Sequence, residues 1–202
     1  MKLYSSRQAP SPRRVRMYAA EKGIALTILE VDIATGATQA PAYRAVNPLG
    51  EVPTLELDDG TRITESLAIC RYLEELQPEP NLFGRSPLER AIINGWIDRL
   101  MFRAYLPTTH VFRHAHPFWA SRLRQVPEWA ELQRGAVLAE FDALDALLAT
   151  QAFVTGERFT MADIVAFTTV DFGRPSKLRV DETRPALLRW FAALGARPSA
   201  RA

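Results

Sequence analysis

Every strand signal in this chain lies before residue 65, and everything after residue 85 is patterned as helix. That asymmetry is the strongest constraint on the fold. Residues 2–5 ("KLYS") and 26–31 ("LTILEV") are short runs rich in β-formers. Between them Val15, Tyr18 and Ala19 recur at helical spacing, and Gly23 supplies a stop. Strand, helix and strand in that order make a βαβ unit, so the two strands are expected to be parallel. Residues 54–57 ("TLEL") and 61–64 ("TRIT") flank Asp58-Asp59-Gly60, a turn signal that predicts a hairpin. A helix should follow from about Glu65 to Leu76, with Leu67, Cys70, Leu73 and Leu76 on one stripe. The front of the chain therefore reads as an α/β domain with a mixed four-stranded sheet.

Residues 77–85 ("QPEPNLFGR") have no periodicity and carry two prolines and a glycine. They divide the chain into a domain over 1–77, a linker over 78–85 and an all-helical domain over 86–202. Ser86-Pro87-Leu88-Glu89 predicts a helix start with a serine cap, proline at the first position and a capping-box glutamate. That helix runs toward Leu106 with Ile93, Trp96, Ile97, Leu100 and Met101 inward, and Pro107 is expected to kink or end it. A second helix from Glu128 to about Ala149 carries Trp129, Leu132, Val137, Phe141, Leu144 and Leu148. A third begins at Thr160, where Thr160-Met-Ala-Asp163 is a capping box and Phe159 can staple onto Ile164. A last helix covers about Pro185–Leu194.

Composition excludes several function classes. A formal net charge of +2 over 202 residues exerts no strong pull on nucleic acid or membrane. The single cysteine, Cys70, rules out an intrachain disulfide and a cysteine-based metal cluster. Among apolar neighbours it reads as a small hydrophobe. The first residues lack the apolar core of a signal peptide, and no apolar run approaches about 18 residues. A cytoplasmic protein is expected.

Specific residues go further. "NPLGEVPTLELDDGTRITESLAICRYLEE" (Asn47–Glu75) contains Asn-Pro-x-Gly, Val-Pro-x-Leu, and Glu-Ser opening a helix. "GERFTMADI" (Gly156–Ile164) and "LRWFAALGARPSA" follow in the second half. In order and spacing these segments resemble the glutathione transferase superfamily over nearly the whole chain. The resemblance implies a thioredoxin-like N-terminal domain, a helical C-terminal domain that completes the electrophile site, glutathione as cosubstrate, and a homodimer. It implies conjugation of the glutathione thiolate to a small hydrophobic electrophile. A glutathione-dependent isomerase or dehalogenase remains open on the same scaffold, as does a non-catalytic glutathione-binding or protein-interaction module.

The same residues have a physical reading. Pro53 removes a backbone donor where a strand begins. By the resemblance the Val52–Pro53 bond is cis, which turns the Val52 N–H and C=O toward a peptide-like ligand. Glu65 and Ser66 follow Thr64, which reads as a helix cap. A helix N-terminus with a serine hydroxyl suits a carboxylate, and an adjacent glutamate suits an ammonium. The resemblance gives Val52, Pro53, Glu65 and Ser66 to glutathione. Glu51 departs from the Lys or Gln common in relatives, and Arg13, Arg44 or another cation is the candidate to offset its charge at the glycine end.

The group that activates the sulfur is less legible. Thiolate formation near neutral pH needs a thiol pKa below the free value of about 8.5, which helix N-termini help provide. The family's usual serine position falls on Ala9, its cysteine position on or near Pro10 or Ser11, and its second cysteine on Pro12. Ser11 is the nearest hydroxyl, and preceding Pro12 it also reads as a helix cap. Tyr4 is expected to pack in the sheet. A bacterial and fungal branch of the family lacks the usual residue, and there a water held by second-domain helix residues assists the sulfur. All three histidines, His110, His114 and His116, fall in "THVFRHAHPFW". With no further Cys or His a zinc site would need acidic ligands, so no metal is expected. His114 is the candidate imidazole, as hydrogen-bond donor or base. Tyr105, Phe112 and Trp119 would wall an apolar substrate.

Overall fold

The computed structural model describes residues 1–202. By contact the chain forms two compact units, Met1–Asn81 with Pro198–Ala202, and Leu82–Arg197. The first unit regains the last five residues because helix α1 (Pro10–Lys22) holds them. Arg13 donates to the Ala200 carbonyl at 3.1 Å, and Arg16 donates to that of Ala202 at 3.2 Å.

In the first unit β1 (Lys2–Ser5) runs parallel to β2 (Thr27–Glu30), as a βαβ unit requires. The hairpin strands β3 (Thr54–Glu56) and β4 (Arg62–Thr64) join antiparallel, giving the order β2-β1-β3-β4. Helix α3 (Ser66–Leu76) follows β4, and a one-turn helix, α2 (Pro41–Arg44), precedes β3. Leu3 and Leu55 from the sheet are buried, as are Val15, Tyr18, Ile69 and Leu73 from α1 and α3. Helix α1 stops at Gly23, whose φ of 68° is the left-handed conformation that glycine adopts without steric cost.

The stripe expected on α3 is rotated. Ile69, Cys70 and Leu73 are buried, Leu67 is half-buried and Leu76 is exposed. A polar anchor explains the rotation. Glu74 Oε2 accepts from Tyr18 Oη at 2.5 Å and from Lys22 Nζ at 2.6 Å, and Lys22 also donates to the Pro80 carbonyl at 2.8 Å. That network turns Glu74 inward, toward α1.

The second unit is helical. Helix α4 (Pro87–Leu100) starts as expected, with Ser86 Oγ accepting from the Glu89 N–H at 3.1 Å. The Glu89 carboxylate reaches one residue further back than a capping box, to the Arg85 N–H at 2.8 Å. Ile93, Ile97 and Leu100 are buried, whereas Trp96 and Met101 are only half-buried. Pro107 does not end the helix. Five residues of π-helix, Met101–Tyr105, widen the turn ahead of it, and α5 continues over Leu106–Ala115. A proline lacks the N–H of a regular turn and crowds the carbonyl four residues back. A wider turn takes up that mismatch.

Helix α6 (Pro127–Leu148) buries Val137, Phe141, Leu144 and Leu148, but Trp129 and Leu132 of the expected face are exposed. Every residue from Met161 to Val170 of α7 (Met161–Phe172) is buried, which makes it the central helix of this unit. Helix α8 (Pro185–Gly195) has no side-chain cap of its own. Asp145 of α6 replaces it, accepting from the N–H groups of Ala186 and Leu187 at 2.8 and 2.9 Å. No helix is long and apolar enough to cross a membrane.

Candidate functional site

Strand register builds the site in the first unit. Tyr4, Thr54 and Thr64 stand opposite one another on three adjacent strands. Three connections therefore meet at one end of the sheet. These are the turn from β1 into α1, the Val52–Pro53 step before β3, and the step from β4 into α3.

Asn47 organises the middle connection. Its buried Nδ2 donates to the Glu51 carbonyl at 2.7 Å and to Thr54 Oγ1 at 3.3 Å, and its Oδ1 accepts from the Leu49 N–H. Tyr43 Oη donates to the same Glu51 carbonyl at 2.7 Å. Gly50 completes this turn at a φ of 65°, and a Cβ there would come within 2.7 Å of the Thr38 carbonyl. Only glycine fits. The Val52–Pro53 bond is cis. The Glu51 carbonyl is thus consumed inside the turn, while no backbone hydrogen bond within the protein uses the Val52 N–H or C=O. A half-buried residue with both backbone groups spare can pair with another peptide.

At the third connection the helix cap is Glu65 rather than Thr64, because Thr64 is still paired in the ladder with Thr54. Glu65 has φ 64° and ψ 117°, and its side chain makes no cap bond. Non-glycine residues held in such regions cost about 1–3 kcal/mol and cluster at binding sites. Ser66, next in line, is buried, and its Oγ accepts from Arg14 Nη1 at 2.7 Å. Arg14 lies on α1 and is fully buried. In sequence it was one of 25 cations with nothing to single it out.

The first connection differs from expectation. Helix α1 begins at Pro10 with Ala9 in the cap position, so Ser11 lies inside the first turn and is no cap. Proline at the first helical position supplies a ready-made helical φ, which moves the start forward. Pro10 and Pro12 also remove two donors, and the Arg13 N–H is spent on the Ala9 carbonyl at 3.3 Å. Ser11 carries the one other N–H of that first turn. Arg16 braces the preceding loop, donating to Ser5 Oγ at 2.5 Å and to the Ser6 carbonyl at 3.3 Å. The Tyr4 hydroxyl points the other way along the sheet, donating to Glu56 at 3.3 Å. Arg44 is tied to Gln39 and the Pro48 carbonyl, and Arg13 to Ala200.

In the second unit two of the three histidines serve the local backbone, while His110 packs against the rings of His114 and Trp129 with its Nδ1 buried and without a hydrogen bond. His114 Nδ1 accepts from the Val126 N–H at 3.2 Å, and His116 Nδ1 accepts from the Phe118 N–H at 3.2 Å. The hydrogen of a neutral His114 ring therefore sits on Nε2. No three His, Cys, Asp or Glu side chains converge as a metal site. Tyr105, Phe112 and Trp119 belong to one aromatic cluster, joined by Phe172. The Phe172 ring lies 6.3 Å from Tyr105 and 5.3 Å from Phe112, which meets Trp119 edge-on at 6.2 Å. The Trp119 indole N–H is buried without an acceptor. Phe172, at the end of α7, is far in sequence from the other three and was not anticipated.

Asp163 is structural. Its Oδ1 accepts from Val154 N–H and Trp190 Nε1, and its Oδ2 from the Thr160 N–H and hydroxyl, completing the expected capping box.

Comparison with known proteins is in line with this geometry. Residues 9–76 match the family model "Glutathione S-transferase, N-terminal domain", and residues 109–198 match "Glutathione S-transferase, C-terminal domain". Glutathione S-transferase 2 of Saccharomyces cerevisiae is 34% identical over 100% of this chain and 88% of its own length. Maleylacetoacetate isomerase of Pseudomonas aeruginosa is 33% identical over 81% of this chain and 77% of its own length. The crystal structure of Gtt2 from Saccharomyces cerevisiae superposes with a TM-score of 0.93 at 34% identity. It spans 100% of this chain and 99% of that one.

Proposed function

The chain belongs to the glutathione S-transferase family, and on that premise we propose that it conjugates the thiolate of glutathione to a small hydrophobic electrophile. Glutathione is the cosubstrate. The observation that carries the reading is the shared sheet end, where Val52 with its spare backbone groups stands beside the Glu65–Ser66 start of α3. Val52 pairs with the cysteinyl backbone as an added strand would. Ser66 and the α3 N-terminus take the γ-glutamyl carboxylate, and Glu65 takes its ammonium.

For the sulfur, Ser11 contributes its N–H at the start of α1, and His114 contributes to turnover. The Val126 bond supports one role for His114 over the other. With Nδ1 occupied as acceptor, the imidazole offers Nε2–H, so it is a hydrogen-bond donor rather than a base. Tyr105, Phe112 and Trp119 line the apolar substrate.

Titration calorimetry with glutathione, and conjugation of an aromatic halide, test this directly. Glutathione binding with its thiol pKa unchanged from free solution would overturn the transferase reading. His114→Asn keeps an acceptor near the Nδ1 position but removes the Nε2 donor. It should lower kcat and leave glutathione affinity and stability nearly unchanged.

A glutathione-dependent isomerase is the second reading, favoured by the similarity to maleylacetoacetate isomerases. Against it, alanine and prolines stand where that branch has a serine-rich loop. The family also supports a homodimer. Leu88, Ile92, Phe102 and Leu106, along α4 to α5, are exposed apolar residues that a second copy would cover. A cytoplasmic location fits both readings.

A further inference from the structure

Arg14 is fully buried and takes no part in the chemistry described so far. We propose that Arg14 is a positioning residue, which holds the Ser66 hydroxyl as an outward hydrogen-bond donor to the γ-glutamyl carboxylate of glutathione. The inference rests on the reading of Ser66 as a carboxylate contact.

A serine hydroxyl has one hydrogen and two lone pairs, and it rotates to suit its neighbours. Left alone in a first helical turn, it can equally donate to a backbone carbonyl or accept from an N–H. A guanidinium has donors and no acceptor. With Arg14 Nη1 2.7 Å from Ser66 Oγ, the oxygen must receive and the hydrogen must turn elsewhere. The bond is charge-assisted, and it polarises the hydroxyl into a stronger donor.

Charge supplies the second strand. A guanidinium keeps its proton when buried, where an ammonium would tend to lose it. The Arg14 charge acts on Cys70, one turn into α3, drawing its thiol pKa down against the larger upward push of burial. The cation therefore sits behind the first turn of α3, at the positive end of the helix dipole. That placement is unfavourable by itself. An anion in front of the helix relieves both, so the arrangement favours a carboxylate over a neutral ligand.

The test compares two ligands in titration calorimetry on the full-length protein. One is glutathione, and the other is 4-aminobutyryl-cysteinylglycine, which lacks the glutamyl α-carboxylate. Arg14→Met should weaken glutathione about tenfold or more, the scale of a hydrogen bond to a charged group. KM should rise more than kcat falls. Affinity for the decarboxylated analogue should barely change, and Arg14→Lys should recover part of the loss. Ser66→Ala combined with Arg14→Met should lose little more than the larger single change. An equal loss for both ligands, or additive losses in the double variant, would overturn the proposal and leave Arg14 a purely structural residue. Should Arg14→Met fail to fold, Arg14→Lys decides with the same pair of ligands. A loss selective for glutathione supports the proposal, and a shared loss or none overturns it. If the unaltered protein does not bind glutathione, the reading of the site fails first. Binding that ignores Arg14 sinks this inference alone.

Discussion

Asp163 has four donors aimed at it, yet burial outweighs them and pushes its pKa up from 3.8 to about 6. The folded state therefore holds the Asp163 proton more tightly than the unfolded chain does. Its contribution to stability is full below pH 3.8 and is lost as pH rises through about 6. A shift of about two units corresponds to about 3 kcal/mol. Asp163→Asn cannot ionise, so the stability gap between the protein and this variant should move by about that amount from pH 4 to 7 in urea titrations. A gap independent of pH would contradict the assignment. Asp163→Ala should cost more than the 0.5–2 kcal/mol of a lost cap, because it also strands the buried Val154 and Trp190 N–H groups at about 1–3 kcal/mol each. Glu65 makes the opposite trade. Its φ of 64° is strained for any residue with a Cβ. Glu65→Gly should raise stability by about 1 kcal/mol, the strain relieved less the entropy of glycine, while weakening glutathione binding. A variant that is neither more stable nor weaker in binding would remove Glu65 from the site.

Helices α1 and α3 are joined by charge inside the first unit. Lys22 and Glu74 are both buried, with Tyr18 donating to the same carboxylate oxygen. Removing one partner of a buried pair leaves the other uncompensated, so Glu74→Ala should cost about 3–5 kcal/mol. A urea midpoint close to that of the unaltered protein would show that Lys22 finds another acceptor. At their other ends the same two helices are joined again, by the hydrogen bond from Arg14 to Ser66, the proposed ligand contact. Periodicity gave the positions of α1 and α3 and most of their apolar faces. It had no means of marking Glu74 as buried, because a glutamate on a helix is usually solvated and only a partner from elsewhere in the fold reverses that. The π-helical turn before Pro107 was hidden for a related reason. Proline announces a disturbance, and the surrounding packing decides whether the helix stops or widens.

For the molecule as a whole, the family and the exposed side chains along α4 to α5 lead to one measurable quantity. Light scattering should give twice the mass of a single chain, and Phe102→Asp should shift the population toward monomer. Phe102 is 69% exposed in the single chain, so the substitution should leave the fold intact. A single-chain mass for the unaltered protein at micromolar concentration would discard the dimer.

The family resemblance singled out the motif residues Val52, Glu65 and Ser66, and the sequence by itself determined the order of elements, the βαβ and hairpin pairing, and the helix starts at Ser86 and Thr160. These depend on neighbours within a few positions, where backbone sterics, capping and hydrophobic periodicity act. Only the tertiary structure decided what those residues do with their polar atoms. It set Glu65 at positive φ, spent the Glu51 carbonyl on Asn47 and Tyr43, occupied His114 Nδ1 with the Val126 N–H, and put Arg14 behind Ser66. The longest of these links, between Arg14 and Ser66, spans 52 positions. Such links form only when the sheet closes, and no local pattern of residues records the direction of a hydrogen bond.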